Sequence, residues 1–306
     1  MTESYETLEE GNDMKRTMTY RDCTLELGGR TLIMGILNVT PDSFSDGGLY
    51  QDLDAAVSHA REMVEQGADI IDIGGESTRP GHEPVSLEEE LKRVIPVVRA
   101  IRAAGIRVPL SVDTYKAEVA RQALEAGAHI INDIWGLKAD PAMAGVVAEY
   151  GCPVILMHNR QEPARYRNFM ADVLADLMES VNLARQAGVE EEKIILDPGV
   201  GFAKTHEENL LVMSRLQDIV RLGYPVLLGA SRKRVIRHTL GLGLEQIREA
   251  KEGTVATTVW GIAQGCAIVR VHDVRENKHA ALMADAIKQA GAFPPSAHGN
   301  QGGDSA

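Results

Sequence analysis

Eight short apolar segments recur along the sequence, and most of them end at a polar residue or a glycine. Stretches with apolar residues at helical spacing, such as residues 53–64 and 91–101, separate many of these segments. Continuous apolar segments of this length are typical of strands buried on both faces, as in parallel sheets. In chain order the predicted strands are residues 31–37, 69–73, 108–112, 129–131, 153–157, 194–196, 225–228 and 267–272.

Eight strand–helix units in a chain of 306 residues predict a (β/α)8 TIM barrel, a single domain of the α/β class. A doubly wound open sheet is the alternative, but Gly199-Val-Gly201 lacks the third glycine of its usual nucleotide-binding turn. Residues 17–31 predict a short hairpin before the first barrel strand. We therefore expect the barrel domain over residues 16–291, with a flexible N-terminal extension at 1–15 and a disordered tail at 292–306.

Composition limits the partners and the compartment. A formal net charge of −12 at pH 7 argues against nucleic acid or an anionic membrane as the main partner, but it allows a small anionic substrate. The sequence has no run of 18 apolar residues and no apolar segment of a signal peptide at its N-terminus. Its three cysteines lack CxxC spacing and suit a reducing compartment, so a cytoplasmic enzyme is expected.

Polar side chains that follow the predicted strands form the candidate site. In a (β/α)8 barrel these strand ends meet at one mouth, where the active sites of such enzymes lie. Asp113, Asn132 and Asp197 supply acceptors and one amide, which suits a flat heterocycle with several N–H groups on one edge. Asp72 and His158 have structural alternatives, as a loop tie and as an oriented hydrogen-bonding group. The other residues predicted at this mouth are Asn38, Arg79, Lys204, Ser231, Arg232, Lys233, Arg270 and His272.

An anion site is expected at one side of the same mouth. Arg270 and His272 are two residues apart on the last strand and so face the same way. They lie close to the basic segment 231–234, and the loops after strands seven and eight are where such barrels bind phosphate. Arginine offers a fork of donors that matches a phosphate group. Asn38 is a candidate to complete the coordination of Mg²⁺, which usually takes only one or two protein ligands beside phosphate oxygens.

Seven segments share their residues with a known family. They are Met34-Gly-Ile-Leu-Asn-Val-Thr-Pro-Asp-Ser-Phe-Ser-Asp-Gly-Gly48, Asp72-Ile-Gly-Gly-Glu-Ser-Thr-Arg-Pro-Gly81, Ser111-Val-Asp-Thr114, Ile131-Asn-Asp133, Leu196-Asp-Pro-Gly199, Ser231-Arg-Lys233 and Arg270-Val-His-Asp273. Through these segments the chain, from about Thr31 to Val274, resembles the dihydropteroate synthases, pterin-binding enzymes of the folate pathway. It departs from the family at Val235, where a larger apolar residue is expected near the aryl site.

The resemblance implies a transferase that condenses 6-hydroxymethyl-7,8-dihydropterin diphosphate with p-aminobenzoate to give 7,8-dihydropteroate and pyrophosphate. It also implies Mg²⁺ as cofactor, sulfonamides as competitors, and a homodimer. The implied pterin-binding residues are Asp113, Asn132, Met157, Asp197, Gly229 and Lys233. The implied pyrophosphate-binding residues are Asn38, which also holds the metal, Arg270 and His272. The implied p-aminobenzoate-binding residues are Thr78, Arg79, Pro80, Phe202 and Ser231. The implied catalytic residues are Asp113, Asp197, Lys233, Arg270 and His272.

The chemistry of the residues supports this reaction independently. If pyrophosphate departs first, positive charge develops on the pterin methylene, and fixed carboxylates at Asp113 and Asp197 would stabilise it. Three alternatives remain at this point. A pterin-binding methyltransferase that serves a corrinoid has no use for a pyrophosphate pocket. A Schiff-base aldolase needs a lysine at the top of a strand, whereas Lys193 precedes strand six and Lys233 lies in a loop. A catalytically silent pterin-binding protein would show no turnover.

Overall fold

The computed structural model describes residues 15–39, 49–76, 84–161 and 164–291. The predicted disordered tail and the predicted N-terminal extension, apart from Lys15, lie outside this part of the chain. Thr78, Arg79 and Pro80 of the predicted aryl site lie outside it as well, so the predictions for these residues stay untested.

An antiparallel hairpin precedes a barrel of eight parallel strands. The hairpin consists of β1 (Arg16–Tyr20) and β2 (Cys23–Leu27). The barrel strands are β3 (Leu32–Asn38), β4 (Ile70–Gly74), β5 (Leu110–Asp113), β6 (Ile130–Asp133), β7 (Val154–Met157), β8 (Ile194–Asp197), β9 (Leu227–Leu228) and β10 (Ile268–Val271). The helices are α1 (Leu49–Glu65), α2 (Leu87–Ala103), α3 (Ala117–Ala126), α4 (Met143–Tyr150), α5 (Phe169–Gln186), α6 (His206–Ser214), α7 (Leu216–Val220), α8 (Arg234–Leu240), α9 (Lys251–Ala263) and α10 (Val274–Gly291).

The barrel strands follow one another in space nearly as they do in the chain. Each strand from β3 to β7 pairs in parallel with the next, and β10 pairs with both β3 and β9. A parallel bridge from Leu196 to Val226 joins β8 to the segment that leads into β9. The sheet therefore closes on itself, which confirms the predicted (β/α)8 barrel with its short hairpin and excludes the open sheet.

Along the inward face, most barrel strands pass from an apolar side chain to a polar one or a glycine. The lower layer consists of Met34, Ile70, Ile130, Ile155, Ile195, Leu227 and Ile268, which form one apolar cluster. Two residues further along the same strands lie Asp72, Asn132, Met157, Asp197, Gly229 and Arg270. Because side chains two apart on a strand share a face, one strand supplies both the core and the base of the mouth. The intervening residues, such as Ile71 and Leu196, pack against the helices.

The hairpin covers the lower end of the barrel. Met18, Leu25 and Leu27 are buried and belong to the same apolar cluster as the lower layer of the barrel. Alternate residues of the hairpin are exposed, as the pattern of Cys23–Leu27 shows. The hairpin therefore presents one apolar face to the barrel and one polar face to solvent.

One helix was absent from the sequence-based prediction, and one predicted helix is divided. The predicted helix at 207–221 is broken at Arg215 into α6 and α7. The sequence predicts a helix after strand seven, and α8 lies there. It predicts no helix at α9, because α9 contains two glycines, which favour helix poorly. A Cβ on Gly253 would lie 2.4 Å from Ile236, and one on Gly261 would lie 2.6 Å from Leu228. These glycines thus allow close packing. No helix in the described ranges has the length and apolar character that crossing a membrane requires.

Candidate active site

An arginine between two buried aspartates lies at the base of the barrel mouth. Arg270 donates from Nε to Asp72 Oδ2 at 2.6 Å and from Nη2 to Asp113 Oδ2 at 2.8 Å. Asn132 donates from Nδ2 to the same Asp72 oxygen at 3.2 Å. The other oxygen of each aspartate is buried and has no hydrogen-bond partner among the described residues. The site therefore offers buried acceptors that a ligand's N–H groups can satisfy.

Asp113 and Asp197 are two carboxylates of the mouth whose pKa values are raised by burial and lowered by different cations. Burial raises the pKa of Asp113 to about 7, while the positive charge of Arg270 opposes that rise. Burial also raises the pKa of Asp197, while Lys233 opposes the rise most strongly. Each carboxylate is thus balanced between desolvation and a nearby cation. A ligand that brings positive charge or N–H donors would favour the ionised form of both.

Asp197, Lys233 and the loop after β8 form a second group at the mouth. Asp197 Oδ1 accepts a hydrogen bond from the Gly199 backbone N–H at 2.7 Å. A Cβ on Gly229 would lie 3.6 Å from Asp197 Oδ2, so the glycine leaves room beside that oxygen. Lys233 is half-buried, and desolvation of its ammonium group lowers its pKa to about 8. Its Nζ donates to the Val200 carbonyl at 2.5 Å and lies 4.6 Å from the centroid of the Phe202 ring.

The loops after β9 and β10 are joined by Ser231 and His272. Ser231 Oγ accepts from the His272 backbone N–H at 3.1 Å and forms a hydrogen bond with His272 Nδ1 at 2.9 Å. Arg232 donates to both carboxylate oxygens of Asp273, at 3.0 Å and 2.6 Å. The sequence placed Arg232 with the residues of the mouth, but the structure pairs it with Asp273 at the rim.

Asn38 lies across the mouth beside Asp113. Its Oδ1 and the Cβ of Asp113 each lie 3.8 Å from the position that a Cβ on Gly74 would take. Because Gly74 has no side chain, the side chains of Asn38 and Asp113 can approach each other across the end of β4. The structure brings together Asn38, Asp113, Asn132, Asp197, Lys233 and Arg270 as the sequence predicted.

His158, Asp133 and Asp72 each form contacts within the protein. His158 forms a hydrogen bond with Asp176 on α5, at 3.1 Å from Nε2, so it faces away from the mouth. The alternative of an oriented hydrogen-bonding group is the correct one for this histidine. Asp133 accepts from the backbone N–H groups of Trp135 and Leu137, each at 2.8 Å, and ties its own loop. Asp72 is an ion-pair partner of Arg270 rather than a loop tie.

The sequence reasoning missed a cluster at the start of the loop after β4. Lys116 donates to Glu76 at 2.7 Å and to the buried Glu90 at 2.5 Å, and Tyr115 donates to Glu76 at 3.0 Å. Glu76 is the last described residue before the gap that contains the predicted aryl-site residues. The sequence did hold one signal for this cluster, because Tyr115 and Lys116 closely follow Asp113, which was predicted at the mouth.

Gly199 has a conformation and a position that exclude any side chain. Its φ is +68°, and a Cβ there would lie 1.9 Å from the carbonyl oxygen of His158. We expect Gly199→Ala to lower the free energy of unfolding by about 2–4 kcal/mol, from left-handed strain plus overpacking. Urea denaturation of the variant measures this loss.

Gly188→Ala is the matched control for that substitution. Gly188 also has a positive φ, of +93°, but a Cβ there meets nothing within 4 Å. Gly188→Ala should therefore lower the free energy of unfolding by only about 1–2 kcal/mol, the cost of the left-handed conformation. Equal losses in the two variants would show that the contact with His158 has no effect on stability.

Comparison with known proteins gives close relatives over nearly the whole chain. Residues 34–272 match the family model described as pterin binding enzyme. The dihydropteroate synthase of Clostridium beijerinckii is 58% identical over 262 residues, which cover 85% of this chain and 96% of that protein. The dihydropteroate synthase of Bacillus subtilis is 56% identical over 279 residues, which cover 91% of this chain and 96% of that protein.

Solved structures give the same result. A dihydropteroate synthase from Clostridium difficile, determined with pteroic acid, has a TM-score of 0.82 and 52% identity, covering 85% of this chain and 98% of that one. The Yersinia pestis dihydropteroate synthase in complex with a sulfonamide drug has a TM-score of 0.82 and 41% identity, covering 90% of this chain and 99% of that one.

The fold and the site together define a (β/α)8-barrel enzyme with buried carboxylates and cations at one mouth. The family model covers more than half of the chain, and the relatives extend over most of the remainder. The chain belongs to the pterin-binding enzyme family, and within that family to the dihydropteroate synthases, which are transferases.

Proposed function

We propose that this enzyme condenses 6-hydroxymethyl-7,8-dihydropterin diphosphate with p-aminobenzoate to give 7,8-dihydropteroate and pyrophosphate. The observation that carries the proposal is the buried arrangement of Arg270 between Asp72 and Asp113. It places two buried carboxylate oxygens, which have no hydrogen-bond partner in the described part of the chain, next to a fixed cation. A substrate with an N–H-rich ring and an attached diphosphate matches both halves of that arrangement.

The pterin ring is assigned to the carboxylate half of the site. Asp113, Asn132 and Asp197 supply hydrogen-bonding groups along one edge, while Lys233 supplies donors from the neighbouring loop. Met157 lies two residues after Ile155 on the inward face of β7 and is adjacent in register to Asp197. It gives the ring an apolar neighbour. The bare Gly229 leaves space beside Asp197 for a flat ligand. These contacts also make the site specific for a ring with several polar atoms on one edge.

The diphosphate is assigned to Arg270, His272 and Asn38. Arg270 offers guanidinium donors, and His272 is held in place through Ser231. The amide oxygen of Asn38 is a suitable hard ligand for Mg²⁺, whose remaining ligands would be phosphate and water oxygens. When bound, this metal neutralises negative charge on the leaving group. The residues present therefore fit a magnesium ion held jointly by Asn38 and the substrate.

The reaction breaks one bond and forms one. The bond between the pterin methylene carbon and the diphosphate oxygen breaks, and its electron pair leaves with pyrophosphate. The p-aminobenzoate nitrogen then forms the new carbon–nitrogen bond and releases a proton. Asp113 and Asp197 stabilise the positive charge that develops on the pterin, while Arg270 and His272 stabilise the departing anion. Phe202 and Ser231 border the aryl substrate, together with Thr78, Arg79 and Pro80 by resemblance.

A coupled assay of pyrophosphate release tests the reaction. Release should require both hydroxymethyl-dihydropterin diphosphate and p-aminobenzoate, and a sulfonamide should compete with the latter. A silent pterin-binding protein would bind the pterin without releasing pyrophosphate. Methyl transfer from a methylated pterin to a corrinoid, without pyrophosphate release, would favour the methyltransferase alternative.

We also propose that the enzyme is a cytoplasmic homodimer. Cys23, Cys152 and Cys266 are buried and form no disulfide, which supports a reducing compartment. Large apolar side chains are exposed on the outer helices α9 and α10. They are Val259, Trp260, Leu282, Met283 and Ile287. Apolar surface of this kind at adjacent helices is typical of an interface, and a second copy of this chain is the proposed occupant.

Charged substitutions on α10 should separate such a dimer. Met283 and Ile287 are each 62% exposed and lie one helical turn apart. We expect the double variant Met283→Asp/Ile287→Asp to sediment as a monomer, because the interface would have to desolvate two carboxylates from each chain. Leu244→Asp, at a leucine that is 74% exposed outside these two helices, is the control and should remain dimeric. A double variant that still sediments as a dimer would place the interface elsewhere.

A further inference from the structure

The loop between β8 and α6 has an irregular backbone that is fixed by side chains. It contains three positive φ angles, at Gly199 (+68°), Gly201 (+85°) and Ala203 (+48°). This alternation turns successive carbonyl groups in different directions, so no regular ladder of hydrogen bonds satisfies them. The same loop carries Phe202 and the Val200 carbonyl that holds Lys233. Its conformation therefore determines one side of the mouth.

Lys204 satisfies two of these carbonyls at once. Its Nζ donates to the Gly199 carbonyl at 2.9 Å and to the Phe202 carbonyl at 3.1 Å. A third hydrogen bond, of 2.8 Å, joins Nζ to His158 Nδ1. An ammonium group has three N–H donors, so all of them are used. Burial lowers the pKa of Lys204 to about 7, while Asp197 opposes that effect.

The histidine that accepts from Lys204 is itself held by the outer helix α5. His158 Nε2 lies 3.1 Å from Asp176 Oδ2, and Arg160 donates to both oxygens of Asp176 at 2.5 Å and 3.1 Å. Burial lowers the pKa of His158 to about 4, so the ring is neutral. These partners place the proton on Nε2 and leave Nδ1 as the acceptor. A continuous network thus connects α5 to the loop.

Tyr166 and Asn209 complete the support of the loop. Tyr166 donates to the Ala203 carbonyl at 2.8 Å. Asn209 accepts from the Gly201 N–H at 2.5 Å and donates to the Lys204 carbonyl at 3.2 Å. Among the described side chains that contact this loop, Lys204 binds the carbonyl of Phe202 itself. It is therefore the residue whose loss should move Phe202 most.

We infer that Lys204 is a positioning residue for the aryl amine substrate, acting through the Phe202 backbone and fixed from behind by His158 and Asp176. The inference rests on the proposed function, which assigns Phe202 to the p-aminobenzoate site. Asp197, by contrast, makes its hydrogen bond to the loop through the Gly199 backbone N–H, which does not involve the Lys204 side chain. Loss of the Lys204 side chain should therefore weaken binding of the aryl substrate more than binding of the pterin.

Steady-state kinetics of Lys204→Met in the full chain test the inference. We expect KM for p-aminobenzoate to rise by about tenfold or more, with KM for the pterin diphosphate within about threefold of wild type. Lys138→Met is the matched control, since Lys138 donates to the Asp176 carbonyl at 3.0 Å but does not contact the loop. It should leave both constants unchanged. An unchanged KM for p-aminobenzoate in Lys204→Met, or an equal rise in both constants, would overturn the inference.

Two substitutions of His158 provide a second test if Lys204→Met fails to fold. In His158→Asn the amide oxygen can replace Nδ1 as acceptor for Lys204, whereas His158→Leu removes the acceptor. KM for p-aminobenzoate should rise by about fivefold or more in the leucine variant and stay within about twofold in the asparagine variant. A wild-type KM in His158→Leu would overturn the inference. Failure of the proposed function has a different signature, the absence of turnover in the wild-type enzyme.

Discussion

Replacing Asp197 by asparagine should reduce pterin affinity by about 100-fold or more and leave the barrel folded. The substitution removes the charge that faces Lys233 and converts one carboxylate oxygen into a donor. A ligand N–H then meets an N–H group instead of an acceptor, and a charge-assisted hydrogen bond is worth about 1.5–3 kcal/mol by itself. Isothermal titration calorimetry with a pterin measures the loss.

The fold should tolerate this change because asparagine has the same shape. One amide oxygen can still accept from the Gly199 backbone N–H, which is the hydrogen bond that Asp197 makes to the loop. Asp218→Asn, on α7 away from the mouth, is the control and should bind the pterin normally. Pterin affinity in Asp197→Asn within about threefold of wild type would contradict the assignment of this carboxylate to the ring.

Arg270→Met should both inactivate the enzyme and destabilise it by about 3–5 kcal/mol. Arg270 neutralises Asp72 and Asp113, and its removal leaves two buried carboxylates without their ion-pair partner. Pyrophosphate affinity should fall much further than affinity for a pterin that lacks the diphosphate. Urea denaturation and calorimetry with both ligands measure these effects.

The stability loss in Arg270→Met should depend on pH in a defined direction. Burial already raises the pKa of Asp113 to about 7 in the presence of Arg270, and loss of the cation removes the opposing attraction. A folded-state pKa above the unfolded value means that the folded state holds the proton more tightly. The deficit is therefore smaller at about pH 5, where Asp113 is protonated in both folded proteins, than at about pH 8, where folding of the variant must either ionise this carboxyl group in the interior or take up a proton.

Arg232→Met is the control for this second prediction. Arg232 also binds an aspartate through two hydrogen bonds, but the pair lies at the rim and is partly exposed. Its loss should cost about 1 kcal/mol with little dependence on pH over the same range. An equal deficit in Arg270→Met at both pH values would show that its aspartates do not respond to the loss of the cation.

The barrel was predictable because its strands are buried on both faces. Segments such as 153–157 and 194–196 are continuously apolar, and they could be found without any knowledge of their partners. Strand β9 is the weakest case, since only Leu227–Leu228 is regular where four residues were predicted. The segment between β9 and β10 contains α9. Its two glycines obscure the helical pattern in the sequence, although packing stabilises the helix.

The residues of the mouth were predictable where strand alternation determines their direction. Asp197 and Arg270 lie two residues after apolar side chains of the lower layer, so their inward direction follows from the pattern. The same alternation makes His158 point outwards, because Met157 before it points inwards. The ion pair between Arg270 and Asp72 had no local signal, since the two residues are 198 positions apart. Only the closed barrel brings them together.

The hairpin beneath the barrel determines how ligands can travel. Met18, Leu25 and Leu27 fill the lower end with apolar side chains, so the part of the barrel that the structure describes is a blind-ended well. Under the proposed function, a ligand seated on Asp197 is at its floor, with the proposed aryl position above it. An elongated ligand with a pterin ring at one end must therefore enter ring first and leave ring last. Dihydropteroate cannot depart downwards and must back out by the route through which its precursor entered.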